Sequence, residues 1–504
     1  MNTSVTRQIT VDRTTIDRTA IESRSLQVAS ALHALGIQEG DSVAVYLHNQ
    51  QAYLEIILAC RRLGVYYTPV NWHFTAPEVQ YILQDSGAKA LFTQSTLLEA
   101  ALAARTDALP TICTDCEGDD SDTDVIHYES WIGQFAPYEG PTVSPRGHMA
   151  YTSGTTGRPK GVVRAPAPLD RLAEHQKNLN HVIELAYGLR PGCRALLPAP
   201  IYHSAPSLFC QVSLQLCEHF TVTSRFDAED VLRIIERDRI EVVYMVPIMY
   251  VRLLRLDPEI RNRYDLSSLR FIASTGAPCP ADIKQAMIDW LGPVLNETYA
   301  SSEAGLVTLA TSHDAKLKPG TAGKPLPGAT VRILDEEGNE CAPNQTGLIY
   351  IRNTTYTDFT YRHQPEARKR IEKDGLITLG DIGYLDDDGY LFVCDRETDM
   401  VLSGGVNIYP AEIEHAMASY PGIADSAVIG VPDPEFGQRL IGVLLPEVGT
   451  TIDPDHLSHW LSERLARFKI PKTFVMTDQL PRDANGKLSR HRLRAQLSQS
   501  TPQT

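Results

Sequence analysis

The first part of the chain alternates short apolar runs of β type with helical patterns. The apolar runs cover residues 42–47, 66–70 and 90–93, and a helical pattern covers residues 52–63. Strands that alternate with helices are typical of parallel α/β layers. The pattern therefore predicts one such layer near the start of the chain.

The same alternation returns after a loop rich in glycine, serine and threonine. Strand-like runs cover residues 195–197, 220–223, 242–246 and 271–275, and helical patterns cover residues 207–217 and 228–237. These runs predict a second α/β layer. Between residues 318 and 353, short strands broken by glycine and proline predict a small β-barrel or sheet.

A charged stretch at residues 395–399 comes before a shorter α/β pattern with apolar runs at residues 427–431 and 440–445. We place a domain boundary near Thr398. The predicted fold class is α/β. An N-terminal domain (residues 1–397) has two α/β layers and a small β-barrel, and a small α+β C-terminal domain covers residues 398–504.

Composition excludes several kinds of function. Among 504 residues, 47 basic and 62 acidic side chains give a formal charge of −15, and no long basic run is available to neutralise a nucleic-acid backbone. The sequence has neither a signal-peptide pattern nor an apolar stretch of membrane length, so we expect a cytoplasmic protein without a membrane span. Nine scattered cysteines favour reduced buried thiols, and the C-x-x-C of Cys113 and Cys116 has no second pair to form a metal site.

The densest chemical signal is the segment at residues 151–161, which combines hydroxyls, glycines and a lysine. Glycines let backbone N–H groups approach an anion, hydroxyls donate further hydrogen bonds, and lysine supplies a mobile charge. The spacing is not that of a Walker P-loop, because no Gly-Lys-Ser/Thr follows. The residues expected to hold phosphates are Thr152, Ser153, Gly154, Thr155, Thr156, Gly157 and Lys160.

At this segment the chain resembles the adenylate-forming superfamily, which includes acyl-CoA synthetases, nonribosomal-peptide adenylation domains and firefly luciferase. Four further motifs in family order extend the resemblance from about residue 17 to residue 494. It implies that ATP and a carboxylic acid form an acyl-adenylate, whose acyl group a thiol then takes. It also implies a mobile C-terminal domain that rotates between the two reactions.

The motif at residues 299–303 resembles the family's Tyr-Gly-x-Thr-Glu. The resemblance implies that Tyr299 stacks on adenine, that the Ser302 hydroxyl binds the α-phosphate and that Glu303 holds Mg²⁺. Ala300 stands in place of the usual glycine against the acyl pocket. Its methyl group is expected to reshape the pocket floor.

The motifs at residues 378–384 and 395–396 resemble the family's ribose-binding pair. The resemblance implies that Asp381 accepts hydrogen bonds from both ribose hydroxyls and that Arg396 assists. The family's hinge lies two residues after this arginine. It falls here on Thr398, with Asp399 next, so the pivot stays open between these two residues.

Two motifs follow in the C-terminal domain. The resemblance implies that the backbone at Gly404 and Gly405 lines the pantetheine tunnel when the thioester forms. Near the end of the chain, Lys487 matches the family's adenylation lysine. Together with Lys160 and Glu303, it is expected to offset negative charge during the first reaction.

The acyl pocket is expected to draw on three stretches. Residues 200–204 match the family's aromatic or histidine gate, and we interpret His203 as either this gate or a structural histidine. Residues 244–247 and 274–278 are apolar or small, and they offer no acid or lysine to bind the α-groups of an amino acid. We assign His203, Tyr244, Met245, Thr275 and Ala300 to the acyl pocket, and Gly276 and Ala277 to cofactor binding.

The motifs together predict an ATP-dependent carboxylic acid–CoA ligase that uses ATP, Mg²⁺ and coenzyme A. Residues 277–280 and 288–293 are similar to bacterial synthetases for fatty acids and for bulky steroid-side-chain or bile-type acids. The predicted substrate is therefore a hydrophobic fatty, aryl or polycyclic acid. A homodimer is left open.

Two alternatives remain. The enzyme could load the phosphopantetheine of a carrier protein, because both acceptors use the same tunnel. A catalytically silent ligand-binding relative should instead have lost one of four residues. All four are present in the sequence: Lys160, Glu303, Asp381 and Lys487.

Overall fold

A computed structural model describes residues 7–106, 108–116, 125–152, 158–277, 279–397, 399–403, 406–433, 436–483 and 486–500. The strands are β1 (Gln8–Val11), β2 (Thr14–Asp17), β3 (Ser42–Val45), β4 (Tyr66–Pro69), β5 (Ala88–Thr93), β6 (Thr111–Cys113), β7 (Ile126–His127), β8 (Ala150–Thr152), β9 (Lys160–Arg164), β10 (Arg194–Leu197), β11 (His219–Val222), β12 (Val242–Met245), β13 (Phe271–Ser274), β14 (Leu295–Ser301), β15 (Gly305–Ala310), β16 (Lys324–Pro325), β17 (Ala329–Leu334), β18 (Gly347–Asn353), β19 (Phe359–Tyr361), β20 (Glu372–Lys373), β21 (Leu376–Leu385), β22 (Leu391–Arg396), β23 (Val401–Ser403), β24 (Val406–Ile408), β25 (Ile423–Asp433), β26 (Gly437–Pro446) and β27 (Thr473–Met476). The helices are α1 (Arg18–Ala34), α2 (Gln51–Leu63), α3 (Ala76–Ser86), α4 (Leu98–Ala104), α5 (Tyr128–Ile132), α6 (Leu172–Tyr187), α7 (Ser204–Leu216), α8 (Ala228–Asp238), α9 (Pro247–Leu254), α10 (Pro258–Arg261), α11 (Ala281–Leu291), α12 (Ser312–Leu317), α13 (Pro365–Arg370), α14 (Pro410–Ala418), α15 (Pro454–Ser462) and α16 (Arg490–Ser500).

The first α/β layer is a parallel sheet of five strands in the order β4-β3-β5-β6-β7. Capping residues mark where its helices begin and end. Helix α3 starts with a capping box between Thr75 and Glu78, and it ends at Gly87 with a φ of 61°. The layer predicted from the alternating pattern is confirmed.

The second layer is a nine-stranded sheet in the order β16-β15-β14-β13-β12-β10-β11-β1-β2. Its central strands are parallel, as the pattern of strands and helices predicts. Strand β1, from the beginning of the chain, pairs in parallel with β11, so that Gln8 lies beside His219. The sequence pattern did not indicate this pairing, because it joins segments that are far apart in the chain.

A third sheet contains the β region that the glycine and proline pattern predicted. It has five antiparallel strands, with β17, β18, β21 and β20 in order and β22 also paired to β21. The sheet continues beyond residue 353 to Arg396, because the long strand β21 pairs with β22 in addition to β18. A small three-stranded sheet, β19-β9-β8, holds both ends of the predicted phosphate loop.

The C-terminal part of the chain has hydrophobic clusters of its own. One cluster of buried side chains draws only on residues between Val401 and Leu461, and a second only on residues between Ala427 and Leu493. Both clusters pack against the sheet β25-β26-β27. The domain boundary near Thr398 stays a prediction, and Thr398 itself lies outside the described residues.

The structure corrects the expectation that all the cysteines are reduced. Cys113 and Cys116 form a disulfide across the turn that follows β6, where their Cα atoms are 5.6 Å apart. The other cysteines are free, and most of them are buried, as expected. Asp115 lies within the same cluster, but both sulfur atoms are held in the disulfide, so they are not available to a metal ion. In the described part of the chain, no helix combines the length and apolar character that a membrane span requires.

Candidate active site

One large cavity separates the two α/β layers and also touches the C-terminal part of the chain. Its volume is about 2760 Å³. Four predicted residues line it together: Lys160 from β9, Glu303 after β14, Asp381 from β21 and Lys487 from the C-terminal part. Cavities of this kind, with a few convergent polar groups, are the usual place for a small-molecule site.

Glu303 lies at the centre of a hydrogen-bonded group next to the predicted phosphate loop. Its Oε1 atom accepts hydrogen bonds from the Thr152 hydroxyl at 3.1 Å and from the Tyr361 hydroxyl at 3.1 Å. The Lys160 ammonium lies 5.2 Å from the centre of the Tyr361 ring. Strands β8, β9 and β19 pair with one another, and this pairing holds Thr152, Lys160 and Tyr361 around the carboxylate.

Asp381 forms a second hydrogen-bonded group at the other side of Tyr299. Its Oδ2 atom accepts a hydrogen bond from the Tyr299 hydroxyl at 2.5 Å, and its Oδ1 atom accepts one from Arg396 Nε at 3.1 Å. Antiparallel pairing of β21 with β22 places Asp381 directly opposite Arg396. Burial and the neighbouring Asp381 raise the pKa of Tyr299 well above its usual value, so this tyrosine stays a neutral donor.

A chain of hydroxyl and imidazole groups leads from the predicted α-phosphate residue into the protein. Ser302 Oγ lies 2.8 Å from Ser204 Oγ, which lies 3.0 Å from His148 Nε2. The other ring nitrogen of His148 lies 3.5 Å from Gln211 Nε2. Burial, followed by the charge of Arg164, lowers the pKa of His148 to about 4, so the imidazole is neutral near pH 7.

Two hydrogen bonds within the C-terminal part stabilise the turn that carries Lys487. The carboxylate of Asp483 accepts a hydrogen bond from the Lys487 backbone at 2.9 Å, and Arg482 donates to the Gly486 carbonyl at 2.9 Å. Gly486 has a φ of 80° and packs against Ile248 at the start of α9, where an added Cβ would lie 3.3 Å away. A glycine therefore suits this close approach between the two parts of the chain.

The Lys487 side chain lies in the open cavity, but the protein around the cavity removes part of its contact with water. Desolvation lowers the pKa of Lys487, and the charge of Arg396 lowers it further, while the carboxylates of Asp483, Asp381 and Glu303 oppose the shift. Lys487 thus lies within electrostatic reach of both carboxylate groups of the site. Desolvation likewise lowers the pKa of His203 to about 4.

Most residues assigned to the acyl pocket do line the cavity. These are His203, Tyr244, Thr275 and Ala300, together with Gly276 and Ala277. Ala300 follows a β-bulge between β14 and β15 that interrupts the strand pairing after Tyr299. The assignment of Met245 to the acyl pocket is wrong. Its side chain packs in the hydrophobic core and does not line this cavity, because successive side chains on β12 point to opposite faces.

Several assigned residues lie outside the part of the chain that the structure describes. They are Ser153, Gly154, Thr155, Thr156, Gly157, Gly404 and Gly405, and the hinge candidate Thr398. The other hinge candidate, Asp399, is described, and its carboxylate accepts a hydrogen bond from Arg490 at 3.2 Å.

The sequence analysis missed three groups of this site. Tyr361 belongs to no local motif and reaches Glu303 only because β19 pairs with β9. Ser204 directly follows His203, so the predicted gate could have drawn attention to it. His148 lies three residues before the phosphate segment, and a histidine so close to a phosphate loop was a usable signal.

Two α/β layers around one cavity with convergent polar groups fit a nucleotide-binding enzyme. The family model described as AMP-binding enzyme matches residues 5–358, and the model for the AMP-binding enzyme C-terminal domain matches residues 412–487. The chain therefore belongs to the AMP-binding enzyme family, which confirms the resemblance seen in the motifs.

Known proteins agree with this assignment over nearly the whole length. A feruloyl-CoA synthase from Amycolatopsis sp. is 35% identical and an indoleacetate–CoA ligase from Aromatoleum aromaticum is 33% identical, and each alignment covers 94% of this chain and 92% of the relative. The ATP-bound structure of MatB from Rhodopseudomonas palustris superposes with a TM-score of 0.84 at 29% identity and covers 98% of this chain and 96% of that one. The chain is an acid–thiol ligase of the acyl-CoA synthetase type.

Proposed function

We propose that this ligase first joins a hydrophobic carboxylic acid to ATP as an acyl-adenylate and then transfers the acyl group to coenzyme A. The observation that carries the proposal is the convergence of Lys160, Glu303, Asp381 and Lys487 on one cavity. These residues come from four distant parts of the sequence. A silent relative would have no need to keep all four in one place.

In the first reaction, a carboxylate oxygen of the acid attacks the α-phosphorus of ATP, and pyrophosphate leaves. Two anions must approach each other, so the residues have to offset repulsion. We assign Lys487 to the space between the carboxylate and the α-phosphate and Lys160 to the leaving phosphates. The ribose would bind at Asp381, whose two oxygen atoms are already oriented by Tyr299 and Arg396.

The oxygen donors at Glu303 fit Mg²⁺. This ion prefers carboxylate and phosphate oxygens and commonly binds through one or two protein carboxylates plus the phosphates of a substrate. Glu303 Oε1 is held by Thr152 and Tyr361, which leaves Oε2 of the same carboxylate for the metal. A bound Mg²⁺ would offset the negative charge of the phosphates.

In the second reaction, a thiolate attacks the carbonyl carbon of the adenylate, the new C–S bond forms and AMP leaves. Lys487 is not needed once pyrophosphate has gone. We propose that the C-terminal part rotates about residues 398–399, which withdraws Lys487 and brings Gly404 and Gly405 to the thiol. The ion pair between Arg490 and Asp399 next to this pivot would then rearrange.

The acid is proposed to be aryl or fatty, with a steroid-type acid as a further candidate. Both relatives named above carry aromatic acids in their names, and the cavity includes the aromatic side chains of Tyr187 and Tyr244. A carrier-protein phosphopantetheine remains the alternative acceptor. A cytoplasmic location and a homodimer also remain predictions.

The test is pyrophosphate release from the purified full chain with ATP and Mg²⁺, measured for a panel of aryl, fatty and steroid-side-chain acids with and without coenzyme A. We expect release with at least one acid and a thioester only when coenzyme A is present. Release without thioester would favour a carrier protein as acceptor. The proposal would be contradicted if no acid gave more pyrophosphate release than the Glu303→Gln control gives.

A further inference from the structure

Part of the cavity lining comes from α2, β4, α6 and α7, and we call this part the acyl branch. Its residues are Arg61, Tyr66, Gln176, Leu179, Leu208 and Gln211. Apolar side chains of α6 and α7 form its walls. Arg61, at the end of α2, is the one charged group among these six residues.

Arg61 has an unusual environment for a half-buried guanidinium. Among the described residues it makes one hydrogen bond, a long one from Nη2 to the neutral Gln176 Oε1 at 3.3 Å. Gln176 is itself fixed by donating to Asn180 at 2.8 Å. In the described part of the chain, no carboxylate lies within ion-pair distance of Arg61. Burial lowers the pKa of Arg61, but a guanidinium keeps its proton.

Other partly buried arginines of this chain have stronger partners. Arg24 binds Glu55 at 2.6 Å and Arg490 binds Glu414 at 2.8 Å, while Arg164 donates to three backbone carbonyls at 2.7 to 2.8 Å. Removing a cation from water without an anion nearby is costly, because desolvation is not compensated. Arg61 thus lacks the partner that the protein supplies elsewhere. Since it lines the cavity, a ligand can supply that partner.

Arg61 contacts a different part of the cavity wall from the groups assigned to the reaction. Its hydrogen-bond partner is Gln176 of α6, whereas Ser302 lies against Ser204, and Glu303 accepts from Thr152 and Tyr361. A ligand group at Arg61 is therefore separate from the carboxylate that reacts.

The chemistry of this end is specific. Arg61 offers only donors and a positive charge, and among the described residues Gln176 Oε1 is the one acceptor that it reaches. A planar guanidinium matches a carboxylate better than any neutral group, since it can form two parallel hydrogen bonds. The acyl branch also includes Leu179 and Leu208, which favour an apolar body next to the anionic group.

We propose that Arg61 binds the second carboxylate of a dicarboxylic acid, while the first carboxylate is activated next to Ser302 and Lys487. This inference rests on the proposed function and narrows its substrate to acids with an apolar body and a second anionic group. Arg61 is a specificity residue in this proposal and takes no part in the chemical steps.

The test is equilibrium binding, measured by calorimetry on the full chain in the presence of AMP, which fills the nucleotide site without a leaving group. Straight-chain acids of increasing length are compared as matched sets that end in a methyl, a hydroxyl or a second carboxylate. For at least one length we expect the dicarboxylic acid to bind best. In Arg61→Met its affinity should fall roughly 10- to 100-fold, with the methyl-ended acid changed by about twofold or less.

Arg62→Met is the matched control. Arg62 is the next residue of α2, but its side chain donates to the carbonyls of Gly140 and Pro141 and does not line the cavity. The control should keep the preference, and Arg61→Lys should keep part of it. The inference is overturned if no dicarboxylic acid is preferred, if the hydroxyl-ended acid binds equally well, or if the preference survives in Arg61→Met. Because binding is read without turnover, failure of the ligase reaction would be seen separately, in the pyrophosphate assay.

Discussion

The nucleotide end and the acyl branch of the cavity differ in how their polar groups are paired. At the nucleotide end, Asp381 and Glu303 each accept two side-chain hydrogen bonds at 2.5 to 3.1 Å. In the acyl branch, Arg61 has one weak neutral partner among the described residues. Tyr187 and Tyr244 line the same cavity outside the acyl branch, and their buried hydroxyls also have no hydrogen-bond partner in the described part of the chain.

This difference indicates what each end is built to do. A site whose dipoles are already oriented stabilises charge without reorganising, which suits a nucleotide that is the same in every turnover. Polar groups left unpaired in an interior cost stability, and a bound ligand can recover that cost. The acyl branch therefore gains most when its particular acid is present.

The largest expected effect concerns Lys487, the mobile cation of the nucleotide end. Lys487→Ala should slow adenylate formation from acid and ATP by about 100-fold or more, because the approach of two anions loses its counter-charge. Thioester formation from supplied acyl-adenylate should be largely spared. Rapid-quench assays of each half-reaction measure the two rates. Lys472→Ala, in the same part of the chain but away from the cavity, serves as the control, and equal loss of both half-reactions would contradict this division of labour.

A smaller effect is expected at the ribose carboxylate. Asp381→Asn replaces a charged acceptor of Tyr299 and Arg396 by a neutral amide, and it weakens binding of the vicinal diol. The KM for ATP should rise roughly 10- to 100-fold, in line with the loss of charged hydrogen bonds. Asp387→Asn, at an exposed turn that follows the same strand, should leave the KM unchanged. A KM for ATP that stays constant in Asp381→Asn would remove this residue from the nucleotide site.

The third prediction concerns pH and His148, which links the two ends through Ser204. The folded-state pKa of His148 is about 4, below its ordinary value of 6.5. Between these values the unfolded chain binds a proton that the folded chain does not, so the unfolding free energy should fall as pH is lowered from about 6.5 to about 4. The contribution of His148 is at most roughly 3 to 4 kcal/mol, since one pKa unit corresponds to about 1.36 kcal/mol.

Urea unfolding of wild type and His148→Gln over this pH range measures that contribution. Glutamine can still bond to Ser204 but does not titrate, so its unfolding free energy should depend less steeply on pH. His203→Gln is a useful comparison, because the pKa of His203 is also lowered to about 4. Identical pH slopes for wild type and His148→Gln would show that His148 is not buried in its neutral form.

The smallest expected effect compares two tyrosines directly. Tyr244→Phe removes a buried hydroxyl without a described partner, so the unfolding free energy should stay within about 0.5 kcal/mol of wild type or rise by up to about 1 kcal/mol. Tyr299→Phe removes a donor to Asp381 and should lower the unfolding free energy by about 1 to 3 kcal/mol. Chemical denaturation of both variants gives the values. A larger loss in Tyr244→Phe than in Tyr299→Phe would contradict the expected difference between a buried hydroxyl without a partner and one that donates to Asp381.

Much of the fold could be read from the chain because it depends on local periodicity. The strand-like run at residues 271–275 becomes β13 (Phe271–Ser274), and the helical run at residues 228–237 becomes α8 (Ala228–Asp238). Helix and strand periods repeat over a few residues, so a short stretch of sequence is enough to indicate them. The pairing of β1 with β11 could not be predicted in this way, because the sequence of a strand does not show which distant strand it pairs with.

By itself, the sequence determined the class of chemistry. The segment around Lys160, the motif ending at Glu303, the Asp381 motif and the terminal Lys487 identify an adenylate-forming enzyme through residue types and their order. Only the tertiary structure decided which groups meet. Glu303 accepts hydrogen bonds from Thr152, 151 residues away, and from Tyr361, 58 residues away. Arg61 donates to Gln176, which is 115 residues away. Contacts of this range are set by how layers and strands pack, and the electrostatic state of each group follows from that packing and not from its neighbours in sequence.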